Sequence, residues 1–200
     1  MIPAEIIALT AIWSFLVGSI PFGYLIGRFV YRTDIRQHGS GNIGAMNALR
    51  TIGKGGAVAV LLLDAAKGVI PVLFHPPAIA SVAAAGAVLG HCFSPWLGWK
   101  GGKGVATAFG AIFALSWPAG LTLVALWLFG ALAVTRYSSV GSMLAGIAAP
   151  FALFFYTRSL PEATFGAFVA CLILWRHREN IARLRAGTEG PIRLFRRAER

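Results

Sequence analysis

Apolar runs long enough to cross a bilayer alternate along this chain with short segments rich in glycine and cations. The first extends from Ile6 to about Phe29 and, at about 1.5 Å per residue, covers a hydrocarbon layer of about 30 Å. The second, from about Gly55 to Phe74, is stopped by His75-Pro76-Pro77, since proline removes an amide donor and clashes with the preceding turn. A third covers Ala78 to about Leu97 and leads into Gly98-Trp99-Lys100-Gly101-Gly102-Lys103-Gly104. The apolar stretch from Val105 to Val134 is interrupted at Ser116-Trp117-Pro118, and the last two runs cover about Val140 to Tyr156 and Ala163 to Trp175. The pattern predicts an all-α, polytopic membrane protein built as a single domain over residues 1–200.

Whether residues 105–134 form one tilted span or two short ones decides between six spans and seven, and charge resolves it. With seven spans and the N-terminus outside, the inner loops hold Arg28, Arg32, Arg36, Arg50 and Lys54, then Lys100 and Lys103, then Arg136. The tail adds Arg176, Arg178, Arg183, Arg185, Arg193, Arg196, Arg197 and Arg200, which leaves only Arg158 outside and Lys67 within a span. A six-span chain would place that tail outside, against the excess of Lys and Arg that cytoplasmic loops carry. Seven spans with a cytoplasmic C-terminus is the expectation.

Composition narrows the classes. The chain is 57% hydrophobic and carries 18 Lys and Arg against 7 acidic residues. A net charge of +11 would suit a nucleic-acid binder, but the basic clusters are separated by membrane-length apolar runs, so no nucleic-acid partner is expected. Cys92 and Cys171 have no metal-type spacing and read as packing residues, and no carboxylate cluster suggests a metal or cofactor. The first run lacks a basic leader and carries Pro21, so no cleavable signal peptide is expected.

Three inner segments differ from ordinary loops. Gly39 to Arg50 contains Ser40, Gly41, Asn42, Gly44 and Asn47; its glycines formally match a dinucleotide fingerprint, but no strand precedes them and no βαβ unit can be drawn. What survives is backbone amides that can approach an anion, with Arg50 as a fork of donors. Lys100 to Gly104 resembles a P-loop with the wrong spacing and with Gly104 where a magnesium-binding hydroxyl belongs. Two lysines at a helix start still suit a phosphate; Lys100, beside Trp99, reads equally as an interfacial anchor, whereas Lys103, between glycines, reads as functional. In the third segment, His177 and Asn180 are i,i+3 neighbours if the last helix continues, Arg176, Arg178 and Arg185 read as a headgroup-facing surface, and Glu189 as an acceptor that fixes the tail.

Elsewhere, Asp64 and Lys67 lie i,i+3 near mid-membrane, where a mutual ion pair that holds helices together is favoured over a functional role. Among Ser138, Ser139 and Ser142 at the start of the sixth span, Ser142 is the one deep enough to reach a site. His38 and His91 read as ligands or fillers, and His75 as a loop residue. The substrate should be a phosphorylated molecule reached from the cytoplasm. A transporter of anionic solutes would share the basic loops but should show an inverted repeat and donors near mid-membrane; no convincing repeat is found. A scaffold for acidic lipids explains the tail but not the glycine loops.

Gly39 to Arg50, Asp64-Ala65-Ala66-Lys67-Gly68, Gly90-His91 through Thr107, and His177 to Glu189 together resemble the bacterial acyl-phosphate:glycerol-3-phosphate acyltransferases, over nearly the whole chain. The resemblance implies a seven-helix inner-membrane enzyme with its site at the cytoplasmic face. It would transfer an acyl group from acyl phosphate to the 1-hydroxyl of glycerol 3-phosphate, giving lysophosphatidic acid and phosphate; membrane lipid surrounds it, and no protein partner is inferred. The site carried over comprises Ser40, Asn42, Arg50, Lys103, His177 and Asn180 as catalytic groups, with Gly41, Gly44, Asn47, Gly101, Gly102, Gly104 and Ser142 binding substrate. Met46 stands where the family has Thr, and Pro95 falls one place later than usual. Other glycerophosphate acyltransferases use His-x-x-x-x-Asp, and no histidine here has Asp at that spacing. An acyl phosphate already carries a good leaving group, so Arg50, Lys103, His177 and Asn180 are expected to grip phosphate oxygens while Ser40 and Asn42 position the carbonyl and the alcohol. A substrate phosphate oxygen would take the proton, with His177 as general base the competing version.

Overall fold

The computed structural model describes residues 2–192, so Arg193, Arg196, Arg197 and Arg200 lie outside the described residues. Among the described residues the regular structure is all helical. Helix α1 (Ala4–Gly18) breaks at Ser19-Ile20-Pro21 and resumes as α2 (Phe22–Leu25), which widens into a π-helical turn over Ile26–Val30. Pro21 supplies no amide, and the Ile20 carbonyl at the break accepts a hydrogen bond from Lys67 Nζ at 2.7 Å. Short α3 (Ala45–Thr51) leads into α4 (Gly53–Leu73), and Pro76-Pro77 starts α5 (Pro77–Cys92). Helix α6 (Val105–Leu115) is separated from α7 (Trp117–Leu128) at Ser116, whose extended backbone and hydroxyl cap α7. A second π-helical stretch, Phe129–Val134, ends that span; α8 (Ser138–Thr157), α9 (Leu160–Arg176) and α10 (Arg178–Arg185) follow.

The break expected near Trp117-Pro118 is therefore present. Among the described residues five helical segments are long and apolar enough to cross a membrane: Ala4–Val30, Gly53–Leu73, Pro77–Leu97, Trp117–Val134 and Ser138–Thr157. Helix α6, with 11 residues, spans only about 16 Å at the α-helical rise.

Small residues make the packing. A Cβ added at Gly68 would lie 2.0 Å from the Thr107 carbonyl oxygen, and one added at Gly110 would lie 2.1 Å from that of Ala65. These reciprocal approaches let the backbones of α4 and α6 touch, the close contact that drives helix association where lipid replaces water. The core of Ala84, Val88, Ala111, Ile112, Leu123, Ala149, Leu153 and Val169 runs through α5 to α9, while Leu9, Leu62, Phe74, Phe151 and Leu160 stay exposed. Outward apolar side chains over small, close-packed interiors are the arrangement of a membrane bundle.

Asp64 and Lys67 form the expected ion pair, at 2.7 Å and almost fully buried. It joins α4 to the α1–α2 break through Ile20 and approaches His91 Nδ1 of α5, 3.6 Å from Asp64. His75 Nδ1 donates to the Pro71 carbonyl at 2.8 Å, closing the end of α4.

Candidate phosphate-binding active site

The loops at one end of the bundle meet over a cavity of about 370 Å³. Ser40, Asn42, Gly44, Asn47, Arg50, Lys103, Gly104, Ser142, His177 and Asn180 line it. Leu61, Phe109, Val124 and Leu128 form the apolar part of its wall.

Each polar side chain is held by its neighbourhood. The Asn42 side-chain oxygen Oδ1 accepts from the Gly44 amide at 2.9 Å, fixing the turn before α3. Buried Asn47 accepts from the Ser40 amide at 2.8 Å and donates to the Ile35 carbonyl at 2.7 Å, so it shapes the loop with both ends of its amide. Arg50 is exposed and reaches the Gly190 carbonyl at 3.2 Å. Ser142 donates to the Ser138 carbonyl at 2.8 Å and accepts from Trp127 Nε1 at 3.2 Å.

A relay links the second and third segments. Lys103 Nζ donates to the Asn180 side-chain oxygen, and Asn180 Nδ2 donates to Glu189 Oε1 at 2.6 Å. Glu189 also accepts from Ser139 Oγ at 2.9 Å and from Arg183 Nε at 2.7 Å. The tail residue read as a hydrogen-bond acceptor is thus the hub that joins α8, α10 and the terminal segment. Burial alone would raise the Glu189 pKa, but the bonds from Arg183, Asn180 and Ser139 outweigh it and hold the carboxyl below its usual range.

Burial, with Arg183 and Arg50 nearby and opposed by Glu189 and Glu179, lowers the Lys103 ammonium to about 8. It is still a cation at neutral pH. Burial, and then the charge of Lys103, pushes His177 down to about 4, so its ring is neutral. His177 Nδ1 faces the Ile173 carbonyl at 2.8 Å and must donate to it, which leaves Nε2 as an acceptor.

Gly41, Gly101 and Gly102 do not line the cavity. The Gly41 amide donates to His38 at 3.0 Å, the Gly101 amide to the Cys92 carbonyl at 3.2 Å and the Gly102 amide to the His91 carbonyl at 3.0 Å. These glycines are close-approach positions: a Cβ at Gly101 would lie 2.0 Å from the His91 carbonyl oxygen. Arg176 departs from the headgroup-facing surface expected of it, because its guanidinium turns inward and donates to the Gly102 and Gly101 carbonyls at 3.0 and 2.7 Å. Asp64, Trp127, Ser139 and Glu189 line the cavity without having been expected there, and so does His91, which the sequence left as a ligand or a filler. A charge pair on a span signalled Asp64; nothing local signalled Trp127. Met46 sits in the cavity wall, and the late Pro95 starts a short 3-10 turn next to Ser94, whose hydroxyl donates to the Ser19 carbonyl at 2.6 Å. Among the described residues no group of His, Cys, Asp and Glu could hold a metal ion.

An all-helical bundle with membrane-length apolar segments, and with cations and neutral donors gathered over a largely apolar cavity at one end, defines an integral membrane protein. The family model for glycerol-3-phosphate acyltransferase matches residues 8–187, and the chain belongs to that family. It is 46% identical over 188 residues to the glycerol-3-phosphate acyltransferase of Synechococcus sp. (strain JA-3-3Ab), covering 92% of each chain. It is 46% identical over 194 residues to that of Ruegeria pomeroyi, covering 95% of each. The crystal structure of PlsY (YgiH), an integral membrane glycerol 3-phosphate acyltransferase, superposes in its glycerol 3-phosphate form with a TM-score of 0.88 at 37% identity, covering 94% of this chain and 96% of that one. Its lysophosphatidic acid form gives 0.86, with 94% and 95% covered.

Proposed function

We propose that this protein is a membrane acyltransferase that moves a fatty acyl group from acyl phosphate to the 1-hydroxyl of glycerol 3-phosphate, releasing lysophosphatidic acid and phosphate. One observation carries the reading: Arg50 of α3, Lys103 of the glycine loop, and His177 and Asn180 at the start of α10 meet at a cavity that also has an apolar wall of Leu61, Phe109, Val124 and Leu128. Phosphate oxygens suit the polar end, and an acyl chain suits the apolar one. The relatives' names and the glycerol 3-phosphate and lysophosphatidic acid forms of PlsY support the same substrate and product.

In this reading the chain is one domain of seven spans, with the N-terminus outside and the site at the cytoplasmic face of a bacterial inner membrane. Arg50 and Lys103 neutralise the two phosphates, while Asn180 orients Lys103 through the Glu189 hub. Ser40 and Asn42 position the carbonyl and the alcohol. The 1-hydroxyl oxygen attacks the acyl carbonyl carbon, a C–O bond forms, and the bond to the leaving phosphate breaks. The catalytic power is that of proximity and charge stabilisation in a preorganised site.

The state of His177 revises its part. A neutral ring whose Nδ1 is bound to Ile173 offers an acceptor at Nε2, which suits the glycerol hydroxyl rather than a phosphate oxygen. With its pKa held to about 4, the ring is a weaker base than a phosphate monoester, whose second ionisation lies near about 6. His177 therefore aligns the hydroxyl, and a substrate phosphate oxygen ends with the proton.

The test is phosphate release by the purified protein from palmitoyl phosphate and glycerol 3-phosphate. Release that requires both substrates is the expected result; none in an active lipid environment overturns the proposal. For the proton, His177→Gln is compared across pH. It should lose turnover in part, and complete loss with substrate binding intact would make His177 the base.

A further inference from the structure

Arg176 closes α9, at the level where an arginine ordinarily snorkels outward to lipid headgroups. Its guanidinium instead lies over the rings of Phe93 and Trp175, 5.7 Å from each centroid. From there Nε donates to the Gly102 carbonyl at 3.0 Å and a terminal nitrogen donates to the Gly101 carbonyl at 2.7 Å. The same two residues are held from the other side, where their amides donate to the Cys92 and His91 carbonyls at 3.2 and 3.0 Å. Gly102 also abuts the His91 ring, so closely that a Cβ would lie 2.0 Å from its Nε2. Both backbone groups of Gly101 and of Gly102 are therefore engaged, and the segment is pinned between the ends of α5 and α9.

The next residue is Lys103. The residue after Arg176 is His177, and Asn180, which accepts from Lys103, begins the turn beyond. Arg176 thus ties the loop that carries the ammonium to the helix end that leads to its acceptor, across 74 positions of sequence. It does not itself line the cavity.

We propose that Arg176 is a positioning residue for the transfer, a guanidinium clamp on the Gly101 and Gly102 carbonyls that holds Lys103 over the cavity and against Asn180. The inference rests on the cavity being the phosphate site proposed above. A planar fork with donors on Nε and a terminal nitrogen matches two successive carbonyls, which a lysine, as a point donor, cannot do. Without the clamp, a lysine between two glycines is free to swing into water.

Lys103 reports on this directly. The charged groups that face it are Arg50 from α3, Glu179 and Arg183 from α10 and Glu189 from the terminal segment, with neutral His177 beside it. Release from burial should return its pKa from about 8 toward the ordinary 10.5.

The experiment uses the purified full chain in lipid nanodiscs. Acetylation of Lys103 by acetic anhydride is followed against pH by mass spectrometry in wild type, Arg176→Lys, Arg176→Ala and the control Arg178→Ala. The wild-type midpoint should fall near pH 8, that of Arg176→Ala should rise by about one unit or more, and Arg176→Lys should lie between. In parallel, kcat/KM of Arg176→Ala should fall roughly 10- to 100-fold, with its alkaline limb moved upward and part of the rate restored by added guanidinium. Arg178→Ala, changed at an exposed arginine beside Trp175, should match wild type. A folded Arg176→Ala with the wild-type labelling midpoint and rate overturns the clamp. If that variant does not fold, Arg176→Lys decides by the same two readouts. Failure of the wild type to release phosphate would sink the proposed reaction, while the labelling curve would still decide the clamp.

Discussion

Lys103 is shifted by burial, and Glu189 is shifted, against burial, by the hydrogen bonds it accepts. Lys103 is charged below about pH 8 and neutral above it, and a phosphate is held by the charged form. The expected result is an alkaline limb in kcat/KM near pH 8, which Lys103→Arg should move upward because a guanidinium stays charged. Lys103→Ala should reduce kcat/KM by roughly 10- to 150-fold, the worth of one charge-assisted hydrogen bond of about 1.5–3 kcal/mol. Steady-state rates between pH 6 and 10 check both. Glu189 has the opposite sign. Its folded pKa is held below the ordinary 4.5, so its stabilisation is complete above that pH and is lost as pH falls through the folded value. Glu189→Gln should therefore melt below wild type at pH 7, and the gap should narrow as the pH is lowered below 4.5, read by thermal unfolding in detergent.

At the scale of helices, the cavity depends on how closely α4 and α6 approach, because Asp64 and Ala65 on one and Val105 and Phe109 on the other stand in its wall. Gly68 and Gly110 make that approach possible, and a methyl at either would meet backbone, which has no rotamer to yield. Gly68→Ala and Gly110→Ala should each destabilise by about 2 kcal/mol or more. Gly55→Ala, where the nearest atom would be 3.4 Å away, should be tolerated. Comparing their melting temperatures in one detergent tests the contrast. The break at Ser116 was legible because Trp-Pro after serine is a local signal for a helix start. The break at Ser19 to Pro21 fell inside a run read as continuous, and it is completed by Lys67, which is distant in sequence.

For the whole molecule, the proposed orientation is tested by labelling. In a Cys171→Ser background, a cysteine at Gly187 should react with an impermeant maleimide only after the inner membrane is opened, and one at His75 should react in intact spheroplasts. The reverse pattern would overturn the cytoplasmic placement. Gathering the loops at one end puts Arg50, Lys103 and Glu189 within one constellation although they are far apart in sequence. The terminal segment joins it again through Arg50 to Gly190, and the Ile192 amide ties that segment to the turn before α8 by donating to the Arg136 carbonyl at 2.8 Å.

Hydropathy, proline breaks and the clustering of cations are local properties, and they were enough to establish a helical membrane chain and the three loops that build the site. The family resemblance, carried by long local motifs, pointed to Ser40, Asn42, Arg50, Lys103, His177 and Asn180, all of which line one cavity. Burial and partnering are properties of contacts between distant segments, and only the tertiary structure decided them. It engaged the Gly101 and Gly102 amides with α5, turned Arg176 inward, put Asp64 and His91 in the cavity wall, and left His177 neutral with Nε2 as its acceptor. The same glycines and arginines could have faced solvent or headgroups with no change in local pattern. What separates those outcomes is which backbone lies within 3 Å, and that is set by the packing of α5 against α9.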